Sequence, residues 1–215
     1  MIQCWRLDDG RQTLVLGAVR DRLAEVLYWG AKLPDDEDLA SLYSAHAIDV
    51  TGGMLDANPE LSICPEATRS FPGQPGLVIR DGDGTATLPK FCLENAYPRE
   101  NSLRLVYIDQ DNLLTYTAEF TIDPLTHIIE ASAKLVSSRP VHLHWLAAPV
   151  SPAPQPSDEM IDFSGRWCGE FQLNRIPWSP GMRYRENRTG RTGHEHFPGL
   201  IVPCRGATNA RGEAY

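Results

Sequence analysis

Paired cysteines, long apolar runs and an excess of positive charge are all missing from this 215-residue chain. Its five cysteines, at positions 4, 64, 92, 168 and 204, are odd in number and never fall in a C-x-x-C spacing. A secreted disulfide framework or a structural zinc site would need paired thiols. The expectation is therefore of reduced thiols, mostly buried as small apolar residues, in a cytoplasmic protein. No apolar run approaches the ~20 residues that span a bilayer. The start, Met1-Ile2-Gln3-Cys4-Trp5-Arg6, has no charged segment leading into an apolar one, so no secretory signal is expected. Twenty basic residues stand against 28 acidic ones, a net charge of −8, which argues against nucleic acid and anionic membranes as partners. Helical periodicity is nowhere sustained and no internal repeat is visible. P-loop, dinucleotide and G-x-S-x-G signatures are absent too.

What the chain does have is turn chemistry. Gly and Pro contribute 17 residues each, scattered along the sequence, with Val, Ile, Thr and aromatic runs between them. That punctuation predicts many short strands. The clearest stretch runs from Leu103 to Val150. Strands over Leu103–Ile108, Leu114–Ile122, Ile128–Val136 and Val141–Trp145 are separated by Asp109-Gln110-Asp111-Asn112, Asp123-Pro124-Leu125-Thr126 and Ser137-Ser138-Arg139-Pro140. Within the second of these, Leu114, Tyr116, Ala118, Phe120 and Ile122 share one face, which predicts an antiparallel meander with that face on a core. Gln12–Val19 and Ala24–Trp29 read as an opening hairpin around Arg20-Asp21-Arg22. Asp81-Gly82-Asp83-Gly84 reads as a turn between Leu77-Val78-Ile79 and a strand near Phe91. Pro34 to Pro75 reads as a long irregular excursion. Ser151-Pro152-Ala153-Pro154-Gln155-Pro156-Ser157 is a stiff connector, with strands resuming at Met160.

Candidate chemistry is sparse. His142/His144 and His194/His196 are H-x-H pairs, and on a strand residues two apart face the same way. No third ligand is placed by the sequence, so a polar sheet face is the better reading, with no metal or cofactor expected. The acidic run Asp35-Asp36-Glu37-Asp38 reads as a solvated loop. Asp81 and Asp83 read as turn residues. Neither group stands out as the carboxylate pair that glycoside hydrolysis requires.

The C-terminal third is more specific. Gly165, Trp167 and Glu170 form a G-x-W-x-x-E stretch. Arg188, Gly190, His194 and Pro198 follow in the order of a basic loop of the type S-R-x-G-x-x-S-H running into a proline. Upstream, Leu27-Tyr28-Trp29-Gly30, then Leu55-Asp56 with Pro65-Glu66, and at the end Gly212-Glu213-Ala214-Tyr215, complete the pattern. Together they resemble the N-terminal domain of the α-galactosidases of glycoside hydrolase family 36. Two departures mark a divergent member. Ala67-Thr68-Arg69-Ser70-Phe71-Pro72-Gly73 stands where members carry G-x-G-D-F-R-x-P. The segment Ser41 to Asp49 lacks an R-x-D-R-like setting, so no sugar contact is carried onto Asp49 or Asp56.

The resemblance implies an all-β, antiparallel β-supersandwich of the galactose-mutarotase type over residues 1–215, truncated at its C-terminal end. It implies a retaining mechanism in which both catalytic aspartates sit in a barrel outside this chain, in K-x-D and S-D-D motifs. No catalytic residue is then expected here, and substrate-binding residues stay unassigned. Trp29, Gly165, Trp167, Glu170, Arg188, Gly190, His194 and Pro198 are expected to be structural or interface positions. Trp167 and Trp145 are expected in a core or an interdomain contact. Arg185, Arg188 and Arg191 form either a solvated basic loop or a docking surface for barrel carboxylates. A galactose-containing oligosaccharide, bound through the barrel, and a homo-oligomer of the full-length protein are the implied partners. An independent mutarotase or epimerase using His142, His144 and Glu130, and a non-catalytic carbohydrate-binding module, are the competing readings.

Overall fold

A computed structural model describes residues 1–46, 59–153, 157–179, 181–188, 190, 195–208, 210–212 and 214–215. The chain forms two compact units, Met1–Pro152 and Ala153–Tyr215.

In the first unit the strands are β1 (Ile2–Asp8), β2 (Gln12–Val19), β3 (Glu25–Ala31), β4 (Leu77–Asp81), β5 (Ala86–Thr87), β6 (Cys92–Arg99), β7 (Ser102–Asp109), β8 (Leu114–Ile122), β9 (Ile129–Ser137) and β10 (Val141–Leu146). A helix, α1 (Leu39–His46), and a 3-10 turn (Ala67–Arg69) interrupt them. The sheets run β1-β2-β3, β10-β4-β5 and β6-β7-β8-β9, and every pairing is antiparallel.

One core joins the three sheets. Leu14 and Leu16 of β2, Val26 of β3, Ile79 of β4, Leu105 and Tyr107 of β7 and Tyr116 and Ala118 of β8 belong to a single buried cluster. Alternation decides the facing in β8, where Leu114, Tyr116, Ala118, Phe120 and Ile122 are all buried as expected. Each fully buried large apolar side chain contributes about 1.5–3 kcal/mol. The Tyr107 hydroxyl keeps a partner by accepting the Ala24 amide at 3.2 Å.

Two expectations fail here. β10 follows β9 in sequence but pairs with β4, Val141 opposite Asp81, so the meander ends at β9. Arg139 in the intervening turn joins the two regions: its guanidinium donates to Asp81 at 2.5 Å and to the Asn112 carbonyl at 3.1 Å. A register shift between Leu143 and Trp145 also breaks the period of two, so His142 and His144 do not share a regular face, and Trp145 is 40% exposed rather than core. The second failure is α1, inside the stretch read as irregular. Asp38, assigned to a solvated acidic loop, is its N-cap: Oδ1 accepts the Ala40 and Ser41 amides at 3.0 and 3.2 Å. The helix buries no residue, so it leaves no apolar stripe in the sequence.

The second unit is built on β11 (Glu159–Ser164), flanked by β12 (Gln172–Pro177) and β13 (His196–Ile201). Met160, Ile161 and Val202 are its buried apolar residues among those described. Tyr215 is tied to Val202 by reciprocal main-chain bonds of 2.7 and 3.0 Å.

Candidate functional site

β11 places one acidic residue inside the second unit. Asp162 is 2% exposed and lies opposite Asn174 in the β11–β12 register. Asn174 Nδ2 donates to Asp162 Oδ1 and to Ser164 Oγ, both at 2.9 Å. Asp162 Oδ2 lies 2.5 Å from Arg185 and 3.6 Å from Arg183. Arg185 also donates to the Phe163 carbonyl at 2.8 Å. A buried carboxylate of this kind is stable only when cations and donors surround it, and here they do. The Asp162 carboxylate thus fixes the arm that carries Arg183 and Arg185 against β11. Among the described residues its polar side-chain partners are two guanidinium groups and a carboxamide. The sequence signal that would have revealed it is an aspartate amid Met160, Ile161 and Phe163.

Between β11 and β12 the chain makes a tight turn. Gly165 has φ +147°, and a Cβ there would stand 2.0 Å from the Gly169 carbonyl oxygen. The Gly169 amide donates to the Arg166 carbonyl at 2.7 Å. Arg166 also pairs with Glu195 at 3.1 Å, at the entrance to β13. The turn exposes Trp167 at 84%, so this tryptophan is not a core residue of its unit. Beside it, Phe163, Phe171 and Phe197 form an aromatic cluster with ring centroids 5.6–6.3 Å apart.

The other motif positions are dispersed. Glu170 is half-buried at the end of the turn, and Pro198 is exposed on β13. Arg188 is exposed and pairs with Glu186, while Gly190 has φ +72°. Of the three arginines read as either a solvated basic loop or a docking surface, Arg185 is paired with Asp162. Trp29, in the first unit, donates Nε1 to Gln12 Oε1 at 3.0 Å. His194, Arg191, Asp49 and Asp56 lie outside the described residues, as does the side chain of His196.

The first unit also buries Glu25, Glu66 and Asp109, none anticipated as buried. Burial, reinforced by Glu60, pushes the Glu25 carboxyl up to about 7, against the opposing effects of the Tyr43 hydroxyl and Arg22. Tyr43 donates to it at 3.4 Å, and His46 Nε2 lies at 3.7 Å. Glu66 also titrates above the usual range, chiefly through burial, although it accepts the Phe91 amide at 2.6 Å and Arg69 Nε at 2.7 Å. All five thiols are free, and burial raises Cys64 to about 12. Among the described residues no group of three His, Cys, Asp or Glu side chains is placed to hold a metal ion. No helix among them is long and apolar enough to cross a membrane.

This fold is that of the β-sheet domain that opens known α-galactosidases. A variant of the α-galactosidase AgaA from Geobacillus stearothermophilus, solved with 1-deoxygalactonojirimycin, superposes with TM-score 0.83 at 18% identity, over 99% of this chain and 33% of its own. The α-galactosidase of Lactobacillus brevis superposes with TM-score 0.76 at 18% identity, over 95% of this chain and 31% of its own. An α-galactosidase of Escherichia coli is 31% identical over 198 residues, which is 89% of this chain and 27% of that protein. Residues 22–215 match the profile described as the glycosyl hydrolase family 36 N-terminal domain, and the chain belongs to that family. It spans about a quarter to a third of the length of these relatives.

Proposed function

We propose that this chain is the N-terminal accessory domain of a retaining α-galactosidase that removes terminal α-galactosyl residues from oligosaccharides. The family match across residues 22–215 carries the reading. The buried carboxylates support it from the other side: Asp162 is neutralised by arginines, and both oxygens of Glu66 are capped by donors. Two carboxyl groups about 5–5.5 Å apart are needed for retention, and on this reading they belong to a barrel outside this chain. Other variants of AgaA have been solved with raffinose and with stachyose, which makes galactosyl oligosaccharides the substrates to assay first. The reading also includes a cytoplasmic setting and a homo-oligomer of the full-length protein.

The test compares two polypeptides on an aryl α-galactoside. One is the 215-residue chain; the other continues to the full length of the relatives. Turnover by the longer polypeptide alone is expected. Turnover by the short chain, abolished by changing one of its own Asp or Glu residues, would sink the proposal.

A further inference from the structure

A polar cleft in the first unit lies between two ion pairs. Arg22 Nη1 meets Glu60 Oε1 at 2.7 Å on one side, and Arg69 Nε meets Glu66 Oε2 at 2.7 Å on the other. The cleft encloses about 400 Å³ and is also lined by Ser62, Ser70, Phe71 and Lys90. That volume falls within the ~300–1,000 Å³ of small-molecule sites.

Three features define what fits. The charges of both pairs are satisfied internally, so the ligand need not bring one. Among the described residues Arg22 spends one N–H on Glu60, and Arg69 spends two, on Glu66 and the Phe91 carbonyl. Each has five in a fixed planar fork, and Glu60 keeps lone pairs to accept with. Ser62 is only 7% exposed, yet its hydroxyl makes no hydrogen bond to another described residue, and neither does that of Ser70. Both hydroxyls stay reachable from the cleft, so a ligand there can hydrogen-bond to them. Finally, Phe71 and Leu23 put an apolar wall beside these donors and acceptors. Alternating donors and acceptors next to an apolar wall suit a ring with hydroxyls on its edge and C–H groups on its face.

We propose that the cleft between Arg22–Glu60 and Glu66–Arg69 is a binding site for one neutral sugar residue. The choice of a galactoside as its ligand rests on the functional reading above; the preference for a neutral polyol rests on the cleft alone. A polyanion would meet Glu60 and Glu66, and a polycation would meet Arg22, Arg69 and Lys90.

The experiment is amide chemical-shift titration of the 215-residue chain with galactose, raffinose and, separately, inorganic phosphate. Saturable shifts at Ser62, Ser70 and Phe71 with the sugars are expected, at affinities near millimolar, as suits so few contacts. Arg22→Gln, Glu60→Gln and Ser62→Ala should each weaken sugar binding about tenfold while leaving the remaining spectrum in place. Arg22 and Glu60 are both more than a third exposed along their side chains, so these variants retain the fold. Shifts with phosphate but not with sugar, shifts confined to other surfaces, or none with any probe would each overturn the proposal. Hydrolysis by the full-length polypeptide is a separate readout. Activity without cleft binding defeats this inference alone, and cleft binding without activity defeats the functional reading alone.

Discussion

Asp9 and His127 are 118 residues apart in sequence, and their side chains meet at 3.0 Å. The Asp9 side chain is fully buried, and it also accepts the Arg11 and Gln12 amides at 2.8 and 2.9 Å. Burial opposes its charge, but the Gln12 and Arg11 amides, the Gln12 side chain and His127 together hold its carboxyl well below the usual range. A depressed carboxylate stabilises the fold fully above its unfolded value, near 3.9, and loses that contribution as pH falls towards the folded value. Asp9→Ala should therefore cost about 1–3 kcal/mol at pH 7. In urea titrations the gap from wild type should narrow steadily below about pH 4. A gap independent of pH would refute the assignment.

Glu25 behaves in the opposite sense. Its carboxyl lies at about 7 in the fold against an ordinary 4.5. Stability from a raised value is fully present below the unfolded pKa and is lost as pH rises through the folded one. Wild-type stability should thus fall between about pH 5 and pH 8 by on the order of 2 kcal/mol, and Glu25→Gln should be flat over that window. The groups facing Glu25 are Tyr43, His46, Glu60 and Arg22, so His46→Gln is the control for a contribution from the imidazole.

Gly165 and Gly190 both match the family motif, yet they should respond differently. Alanine at 165 would meet the Gly169 carbonyl at 2.0 Å in a backbone region closed to L side chains. A loss of more than about 3 kcal/mol is expected. Alanine at 190 has open space, so only the cost of a left-handed residue applies, about 1 kcal/mol. Rates of proteolysis within residues 157–188 would separate the two.

Arg185 and Arg188 should divide in the same way. Arg185→Gln removes the cation at 2.5 Å from the buried Asp162 and should cost about 3 kcal/mol. Arg188→Gln breaks only an exposed pair with Glu186 and should leave the melting temperature unchanged. Equal effects would mean that Asp162 does not organise the arm.

The sequence made β7 and β8 legible because alternate residues of each are buried, whereas β2, buried on both faces, and β9, which buries no residue, were legible from strand-forming residues between turn signals. It did not reveal β10's partner, because pairing with β4 brings together residues about 60 positions apart, such as Arg139 and Asp81, which no local pattern encodes. The helix α1 was silent because it buries nothing, although the Asp38 cap was there to be read. At the candidate sites, motif order found Gly165, Arg188 and Glu66 but passed over Asp162 and Glu25, and it did not mark Glu66 as buried. The importance of these three carboxylates comes from burial, and only Asp162, set among Met160, Ile161 and Phe163, carried a sequence sign of it.

The route taken by β10 also imposes an order in time. The hairpins of β6 to β9 close across short turns, whereas Arg139 must find Asp81 across 58 residues and His127 must find Asp9 across 118. Closing longer loops costs more entropy before any contact repays it. The meander is thus the natural nucleus, with the β4–β10 pairing and the Asp9–His127 clasp as late events. Folding kinetics would register this as a high φ-value at Ala118 and a low one at Ile79.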